Sequence, residues 1–152
     1  MLTAGGLGLV PRAPGTWGTL GGLLQFAALA HAGAEWAVPL CGLAWLGASW
    51  ALAGVALRRW GGRDPQAVVS DEVGGYLLAV SLTGWSGLGW WWRAGLGLVL
   101  FRLFDVAKPG PVRRAEGLPA GLGIAADDLV AGLLANACLQ LVGLALLPRA
   151  PS

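Results

Sequence analysis

The stretch SDEVGGYLLAV, residues 70–80, places two carboxylates directly before an apolar segment. Asp71 and Glu72 are followed by the uncharged run Val73–Trp92, which ends in three tryptophans. About twenty apolar residues are enough to cross a bilayer as a helix. One acid at a helix start is explained by capping, since it gains about 0.3–1 kcal/mol from the positive helix end. Two adjacent acids are more than capping requires.

The composition of the chain is typical of a membrane protein. Of its 152 residues, 56% are hydrophobic and 12% are charged, whereas soluble domains carry about 25% charged residues. Glycine and tryptophan, with 26 and 9 residues, are abundant, as they are in membrane helices. We predict one integral membrane domain, residues 1–152, and a very apolar soluble helical domain is the alternative. The net charge of +2 does not indicate nucleic-acid binding.

The apolar runs predict an all-α fold, a polytopic membrane bundle of about four or five membrane-embedded helices with the site-forming loops on one face. Three runs are clear candidates: Ala37–Leu57, Val73–Trp92 and Leu129–Leu147. Two runs are weaker, because Gly15–Ala34 is rich in glycine and Ala94–Ala107 is short and charged. Prolines and glycines predict a loop over residues 109–123.

Basic residues predict the orientation of this bundle. If all five runs cross, residues 1–14, 58–72 and 108–128 share one side of the membrane. That side holds seven of the ten basic residues: Arg12, Arg58, Arg59, Arg63, Lys108, Arg113 and Arg114. The opposite side holds Arg93 and Arg149. Because basic loops stay in the cytoplasm, we expect the more basic side and the N-terminus to be cytoplasmic.

Most acidic residues lie at or inside predicted helices, on or near the predicted cytoplasmic side. These are Asp71, Glu72, Asp105, Asp127 and Asp128, whereas Glu35, Asp64 and Glu116 are interpreted as loop charges. Clustered carboxylates repel one another and partly protonate unless a cation balances them. Oxygen ligands suit Mg²⁺, or alternatively Mn²⁺, better than Zn²⁺. His31 is the only histidine, which argues against a His-based metal site or a Ser–His–Asp triad.

The stretch FRLFDVAKPG, residues 101–110, supplies the opposite charge. Arg102, Asp105 and Lys108 are spaced to share one stripe of a helix that Pro109 ends. One interpretation is a self-satisfied ladder of ion pairs. The other is a metal-ligating aspartate between two cations that hold a phosphate, the arginine as a bidentate fork and the lysine as a point charge.

The stretch PRAPGTWGTLGG, residues 11–22, also has two interpretations. Exposed N–H groups at a helix start bind anions, which favours a phosphate contact at the backbone of Gly15 and Thr16. Glycines three and four residues apart are more often a sign of close helix packing in membranes. No GKS or GKT follows, so this stretch is not a Walker A loop.

Taken together, four blocks resemble the phosphatidylglycerophosphatase A family: PRAPGTWGTLGGL, DPQAVVSDEVGGY, FRLFDVAKPGPV and GLGIAADDLVAG. They occur in the family's order, from about Gly5 to Gly132. The resemblance implies a multi-pass, Mg²⁺-dependent lipid phosphatase of the bacterial inner membrane, a phosphoric monoester hydrolase of phospholipid biosynthesis. Its reaction would convert phosphatidylglycerophosphate to phosphatidylglycerol and phosphate at the cytoplasmic face. Ser70 departs from the pattern, since members often have tryptophan before the Asp–Glu pair.

The charges and the resemblance assign roles to nine residues. The catalytic residues and metal ligands are predicted to be Asp71, Glu72, Asp105, Asp127 and Asp128. The phosphate is predicted to bind to Arg102 and Lys108, with help from Gly15 and Thr16. The attacking group is either a metal-activated water or one of the acids, through a phospho-aspartate. The substrate is predicted to be a phospholipid in the bilayer, with its tails among the helices.

Two other functions are alternatives. A small transporter or channel would use intramembrane acids as a cation path, and such acids would lie near the middle of the bilayer. The predicted acids instead flank the spans at one face. A broader lipid phosphate phosphatase would also act on phosphatidic acid.

Overall fold

A computed structural model of the chain describes residues 3–5, 14–60, 69–83, 89–119 and 122–146. These residues form helices and no strand, which confirms the all-α prediction. The α-helices are α1 (Pro14–His31), α2 (Val38–Trp60), α3 (Ser70–Val80), α4 (Trp90–Ala107), α5 (Gly110–Glu116) and α6 (Leu122–Leu146). A short 3₁₀ helix, Glu35–Ala37, precedes α2.

Helix α3 is the centre of the fold. Every residue of α3 except Glu72 is buried, and α1, α2, α4 and α6 all pack against it. Its 11 residues extend for about 16 Å, which is too short for a hydrocarbon core of about 30 Å. The prediction of one continuous span over Val73–Trp92 is therefore wrong. Hydropathy could not separate the two cases, because a helix buried in protein is as apolar as one in lipid.

The three tryptophans begin α4 instead of ending a span. Ser81 is extended (ψ 152°) and Leu82 has a positive φ of 56°, so the chain leaves the helical conformation directly after Val80. Asn136 of α6 donates hydrogen bonds to the carbonyls of Leu78, Ala79 and Ser81 at 3.1, 3.1 and 2.7 Å. Carbonyls at a helix end have no partner within the helix, and this amide supplies one.

Glycines allow the backbones to approach α3 closely. A Cβ on Gly74 would lie 2.8 Å from the carbonyl oxygen of Gly42 in α2. A Cβ on Gly132 of α6 would collide with the carbonyl of Gly75. Such contacts between small residues are typical of helix packing in membranes, and they set the positions of α2 and α6 against α3.

The contacts also give the direction of each helix. Helix α6 runs parallel to α3, since Gly132 lies against Gly75 and Asn136 reaches the carbonyl of Ser81. Helix α2 runs antiparallel to α3, since Gly42 lies against Leu78 while Ser49 bonds Ser70. By the same pattern α1 is parallel and α4 antiparallel. The first residues of α1, α3 and α6 therefore lie at the same end of the bundle as the last residues of α2 and α4. We call this end the site end.

Among the described residues, two segments are long and apolar enough to cross a membrane, judged by length and composition. They are Glu35–Val55 and Leu122–Leu146. The total of four or five membrane-embedded helices thus stays a prediction. Residues 109–123 were predicted to be a loop, but α5 occupies Gly110–Glu116, with a proline in its first turn.

The opposite end of the bundle has an ion pair between a buried arginine and a partly exposed glutamate. Arg93 of α4 donates to Glu35 at 2.5 and 2.7 Å, and its guanidinium lies 5.7 Å from the ring centre of Phe26 in α1. The interpretation of Glu35 as a loop charge is therefore wrong. Four charged residues of the sequence, Arg12, Arg63, Asp64 and Arg149, lie outside the described residues, as does the side chain of Arg59.

Candidate active site

Three carboxylates meet at the site end. Asp71 and Glu72 lie in the first turn of α3, and Asp128 lies on α6. One oxygen from each residue lies within 4.8 Å of the others. Asp71 and Asp128 are buried, and Glu72 is partly exposed. We call these residues the acidic cluster, and its carboxylate oxygens are the ligands that Mg²⁺ prefers.

The two aspartates of α6 are not helix caps. Helix α6 begins at Leu122, not at Leu129 as predicted, so Asp127 and Asp128 lie inside the helix and not before it. Both are buried, with 7% and 4% of their surface exposed. A carboxylate inside a buried helical turn gains little from the helix N-terminus. Because burying a charge is unfavourable unless it is compensated, this pair needs another explanation.

The start of α1 lies against the acidic cluster. A Cβ on Gly15 would lie 2.6 Å from Oε1 of Glu72 and 3.2 Å from Nη1 of Arg102. The Glu72 carboxylate and the Arg102 guanidinium therefore both pack against Gly15, and a larger residue at this position would displace them. Thr16 is exposed in the first turn of α1. The hydroxyl of Thr19 donates to the carbonyl of Gly15 at 2.9 Å, within the helix.

Arg102 is held by Asp105. The two residues form an ion pair of 2.5 Å on one face of α4, with 27% and 17% of their side chains exposed. The Arg102–Asp105 part of the predicted stripe therefore exists, whereas Lys108 lies just after the end of α4 and has other partners. Asp105 serves as a partner of Arg102 and does not belong to the acidic cluster, although it lies at the same end of the bundle.

Lys108 has two carboxylate partners. Its ammonium donates to Asp127 at 2.9 Å and to Glu116 of α5 at 2.7 Å. Burial alone would lower the pKa of Lys108, but the hydrogen bonds and charges of Glu116 and Asp127 outweigh it, and the pKa lies above its ordinary value. Lys108 therefore stays charged at neutral pH. Its backbone is left-handed (φ 43°), an uncommon conformation for a residue other than glycine.

Glu116 is the site residue that the sequence did not indicate. It was interpreted as a loop charge, but it ends α5 and holds Lys108. Lys108 follows the end of α4 and Glu116 ends α5, so the two residues belong to different helices and no helical spacing connects them. Glu116 could have been recognised as a site residue only if α5 had been predicted. The sequence at its start, Pro109 followed by Gly110, is instead typical of a loop.

Ser70, the departure from the family pattern, lies between α2 and α3. It is fully buried, and its hydroxyl lies 2.5 Å from the hydroxyl of Ser49. The tryptophan that family members often have at this position would have to fit into the space of this small polar contact. It joins α2 to α3 directly before Asp71.

The predicted site residues therefore separate into groups at one end of the bundle. Asp71, Glu72 and Asp128 form the acidic cluster, Asp105 pairs with Arg102, and Asp127 pairs with Lys108. Two cations thus flank three clustered carboxylates. This arrangement can hold a hard divalent cation and an anionic group next to it, such as a phosphate.

Comparisons with known proteins agree with the motifs. A family model described as phosphatidylglycerophosphatase A matches residues 1–143. A protein of Bacteroides thetaiotaomicron named "Putative phosphatidylinositol-3-phosphatase" is 34% identical over 142 residues, which cover 86% of this chain and 84% of that protein. The phosphatidylglycerophosphatase A of Haemophilus influenzae is 34% identical over 133 residues, with coverage of 86% and 78%. That of Escherichia coli K12 is 34% identical over 84 residues, with coverage of 55% and 47%. No solved structure gave a significant match.

Proposed function

The chain belongs to the phosphatidylglycerophosphatase A family, and from this premise we propose that it hydrolyses the terminal phosphate monoester of phosphatidylglycerophosphate with the help of Mg²⁺. Membership makes it a phosphatase, and the family together with two long apolar helices indicates a membrane protein. The products of the proposed reaction are phosphatidylglycerol and inorganic phosphate.

One observation carries the proposal. Carboxylates from two helices, Asp71 and Glu72 on α3 and Asp128 on α6, lie within 4.8 Å of one another beside Arg102. A bundle that needed only stability would not place like charges together at buried positions, since they repel and lose hydration. The arrangement is explained if a divalent cation and a phosphate occupy this end.

The acidic cluster fits Mg²⁺ by its donors. It offers only oxygen atoms, and Mg²⁺ is usually held by a few carboxylates while substrate phosphates complete its coordination. When bound there, Mg²⁺ would polarise the phosphoryl group and offset the charge that develops during transfer. Mn²⁺ has the same ligand preference and would serve as a substitute.

The remaining residues hold and orient the phosphate. Arg102 presents its guanidinium beside Glu72, and Asp105 fixes its position from the other side. Lys108 presents a charge that Asp127 and Glu116 keep in place. Positioned cations of this kind stabilise phosphoryl oxygens in the transition state. We therefore propose that Asp105, Asp127 and Glu116 act by positioning the cations.

We propose that the site end faces the cytoplasm of a bacterial inner membrane that the chain crosses several times. Arg58, Arg113 and Arg114 are exposed at the site end, whereas Arg93, the arginine that the described part of the chain places at the other end, is buried and paired with Glu35. Excess basic charge stays on the cytoplasmic side. This placement supports access by a phospholipid made at the inner leaflet.

The experiment is phosphate release by purified protein in mixed micelles. The panel contains phosphatidylglycerophosphate, phosphatidic acid and phosphatidylinositol 3-phosphate, each with Mg²⁺, with EDTA, and with Mg²⁺ restored after EDTA. We expect release from phosphatidylglycerophosphate that EDTA stops and Mg²⁺ restores. Release that EDTA does not change would contradict the proposed dependence on Mg²⁺. Absence of release from every lipid phosphate would contradict the proposed reaction.

The same panel tests a second candidate function. The name of the Bacteroides relative suggests that lipid phosphate monoesters other than phosphatidylglycerophosphate are substrates in related proteins. Comparable kcat/KM values on all three lipids would identify a broader lipid phosphate phosphatase. Arg113→Ala is the control variant for these rates. Because Arg113 is exposed at the site end and lies outside the acidic cluster, we expect this variant to keep wild-type rates.

A further inference from the structure

An apolar groove runs along the outside of the bundle between α2 and α6. It has a volume of about 230 Å³ and is lined by Leu43, Gly47 and Trp50 of α2 and by Leu122, Ala126 and Leu129 of α6. Leu46 and Ala125 are its buried lining residues, which we call its floor, and they belong to one hydrophobic cluster with Leu78 of α3. The described residues that line it include no charged side chain. We propose that this groove binds one acyl chain of the lipid substrate, an inference that rests on the proposed function.

The groove opens on the surface that would face lipid. It lies between α2 and α6, and the two segments long and apolar enough to cross a membrane comprise most of α2 and all of α6. Leu43, Trp50 and Leu122 on its rim are exposed large hydrophobic residues. Such side chains on a membrane bundle meet hydrocarbon, so an acyl chain can enter the groove sideways without crossing water.

The groove also adjoins the acidic cluster. Its floor residue Ala125 lies one helical turn before Asp128 on α6. Its other floor residue, Leu46, packs on Gly74, one turn after Asp71 on α3. The groove and the acids occupy different faces of α6. A lipid such as phosphatidylglycerophosphate, in which two glycerols and a bridging phosphate separate the terminal phosphate from the chains, can place its phosphate at the acids and one chain in the groove.

The size of the groove selects its occupant. Pockets for whole drug-sized ligands measure roughly 300–1,000 Å³, and this groove is smaller, at about 230 Å³. It therefore fits one hydrocarbon chain and not an entire lipid. Over the α6 residues from Leu122 to Leu129 it extends for about 10 Å, the length of two helical turns.

Gly47→Leu tests the groove directly. A Cβ on Gly47 meets no atom within 4 Å, so the leucine fills the groove without disturbing the helices. The matched control is Gly95→Leu on α4, where a Cβ also meets nothing and the groove is not involved. The two substrates are dioleoyl phosphatidylglycerophosphate and its deacylated headgroup. We expect Gly47→Leu to lower kcat/KM roughly tenfold on the dioleoyl lipid alone, because excluding two or three methylenes has this effect.

Two kinetic results would overturn the inference. One is a Gly47→Leu variant that matches Gly95→Leu on the dioleoyl lipid, and the other is an equal loss on both substrates, which would indicate distortion of the site. A change in oligomeric state without a change in the substrate ratio would make the groove an interface between copies of the chain, and would also overturn it.

A binding measurement separates this inference from the proposed reaction. Phosphatidylglycerol with a diazirine on one acyl chain is irradiated with the protein in micelles, and labelled peptides are identified by mass spectrometry. We expect labels between Leu43 and Trp50 and between Leu122 and Leu129, which Gly47→Leu removes. Labelling without hydrolysis would refute the reaction and keep the groove, whereas hydrolysis without such labelling would refute the groove.

Discussion

At the scale of single residues, neighbours in the sequence have different partners. Asp127 and Asp128 are adjacent, but successive residues of a helix point about 100° apart. Asp128 therefore faces the acids of α3, while Asp127 faces Lys108. Asp71 and Glu72 are also adjacent, yet both contribute an oxygen to the cluster because they lie at the first turn of α3.

Substitutions of this pair should have different effects. Asp128→Asn removes a charged ligand, and we expect activity to fall by roughly 10²-fold or more, with a higher Mg²⁺ concentration needed for half-maximal rate. Asp127→Asn removes one of the two carboxylates that hold Lys108, so we expect a higher KM at an unchanged Mg²⁺ midpoint. Steady-state rates over an Mg²⁺ titration measure both. If Asp127 is a ligand, as its motif predicts, the two variants will show the same Mg²⁺ shift.

Gly15 is a position where a single added carbon atom should change the activity. Its missing Cβ leaves room for Glu72 Oε1 and Arg102 Nη1, so Gly15→Ala displaces both groups. Because a misplacement of about 1 Å costs up to roughly 10²-fold in rate, we expect kcat/KM to fall at least tenfold. Gly95→Ala is the control, since its Cβ has open space. Equal rates for the two variants would show that Glu72 and Arg102 are not held against α1 during the reaction.

At the scale of elements, the acidic cluster depends on the contact between α3 and α6. Gly75 and Gly132 let the two backbones touch, one turn from Asp71 and Asp128 respectively. Asn136 then attaches α6 to the carbonyls that end α3. The spacing of the two helices, and with it the spacing of the carboxylates, follows from these contacts.

Gly132→Ala should therefore affect stability and activity together. Its Cβ would collide with the carbonyl of Gly75, and overpacking of this kind costs about 1–3 kcal/mol. We expect a lower midpoint of thermal unfolding in detergent and a lower rate, because Asp128 moves with α6. Gly95→Ala should be neutral or stabilising by up to about 1 kcal/mol, since alanine favours a helix. A stable but inactive Gly132→Ala would separate the two effects and argue against packing as the cause.

At the scale of the whole molecule, the two ends of the bundle have different charge. The site end holds the acidic cluster, Arg102, Lys108 and exposed arginines, whereas the opposite end holds the ion pair of buried Arg93 with Glu35. The helices connect the two ends in alternating directions. The molecule is therefore polarised along its length, as a protein with one membrane orientation would be.

Labelling of single cysteines tests this orientation. Cys41 and Cys138 are replaced by alanine, and Arg113→Cys at the site end or His31→Cys at the opposite end supplies the thiol, both at exposed positions. A membrane-impermeant maleimide should label His31→Cys in spheroplasts and Arg113→Cys in inside-out vesicles. Labelling of both from one side would contradict a crossing between them, and exchanged labelling would reverse the orientation.

The sequence alone predicted helices, their approximate positions and the residues that gather at one end. These follow from local rules: apolar runs of helical length, prolines that stop a helix, and charges spaced along one stripe. It failed at Val73–Trp92, where one apolar run contains the end of α3 and the start of α4. It also missed α5, because a helix of 7 residues framed by proline and glycine has the composition of a loop.

The sequence by itself determined which functional groups the site can use. These are carboxylates in pairs, an arginine and a lysine spaced along one predicted helical stripe, and glycines at the positions where helices must touch. What only the tertiary structure decided is which carboxylates share a volume. Asp71 and Asp128 are far apart in the chain, and Asp127 was as good a candidate as its neighbour. The choice depends on the rotation of α6 against α3, which the contact of Gly132 with Gly75 sets and which no local pattern encodes.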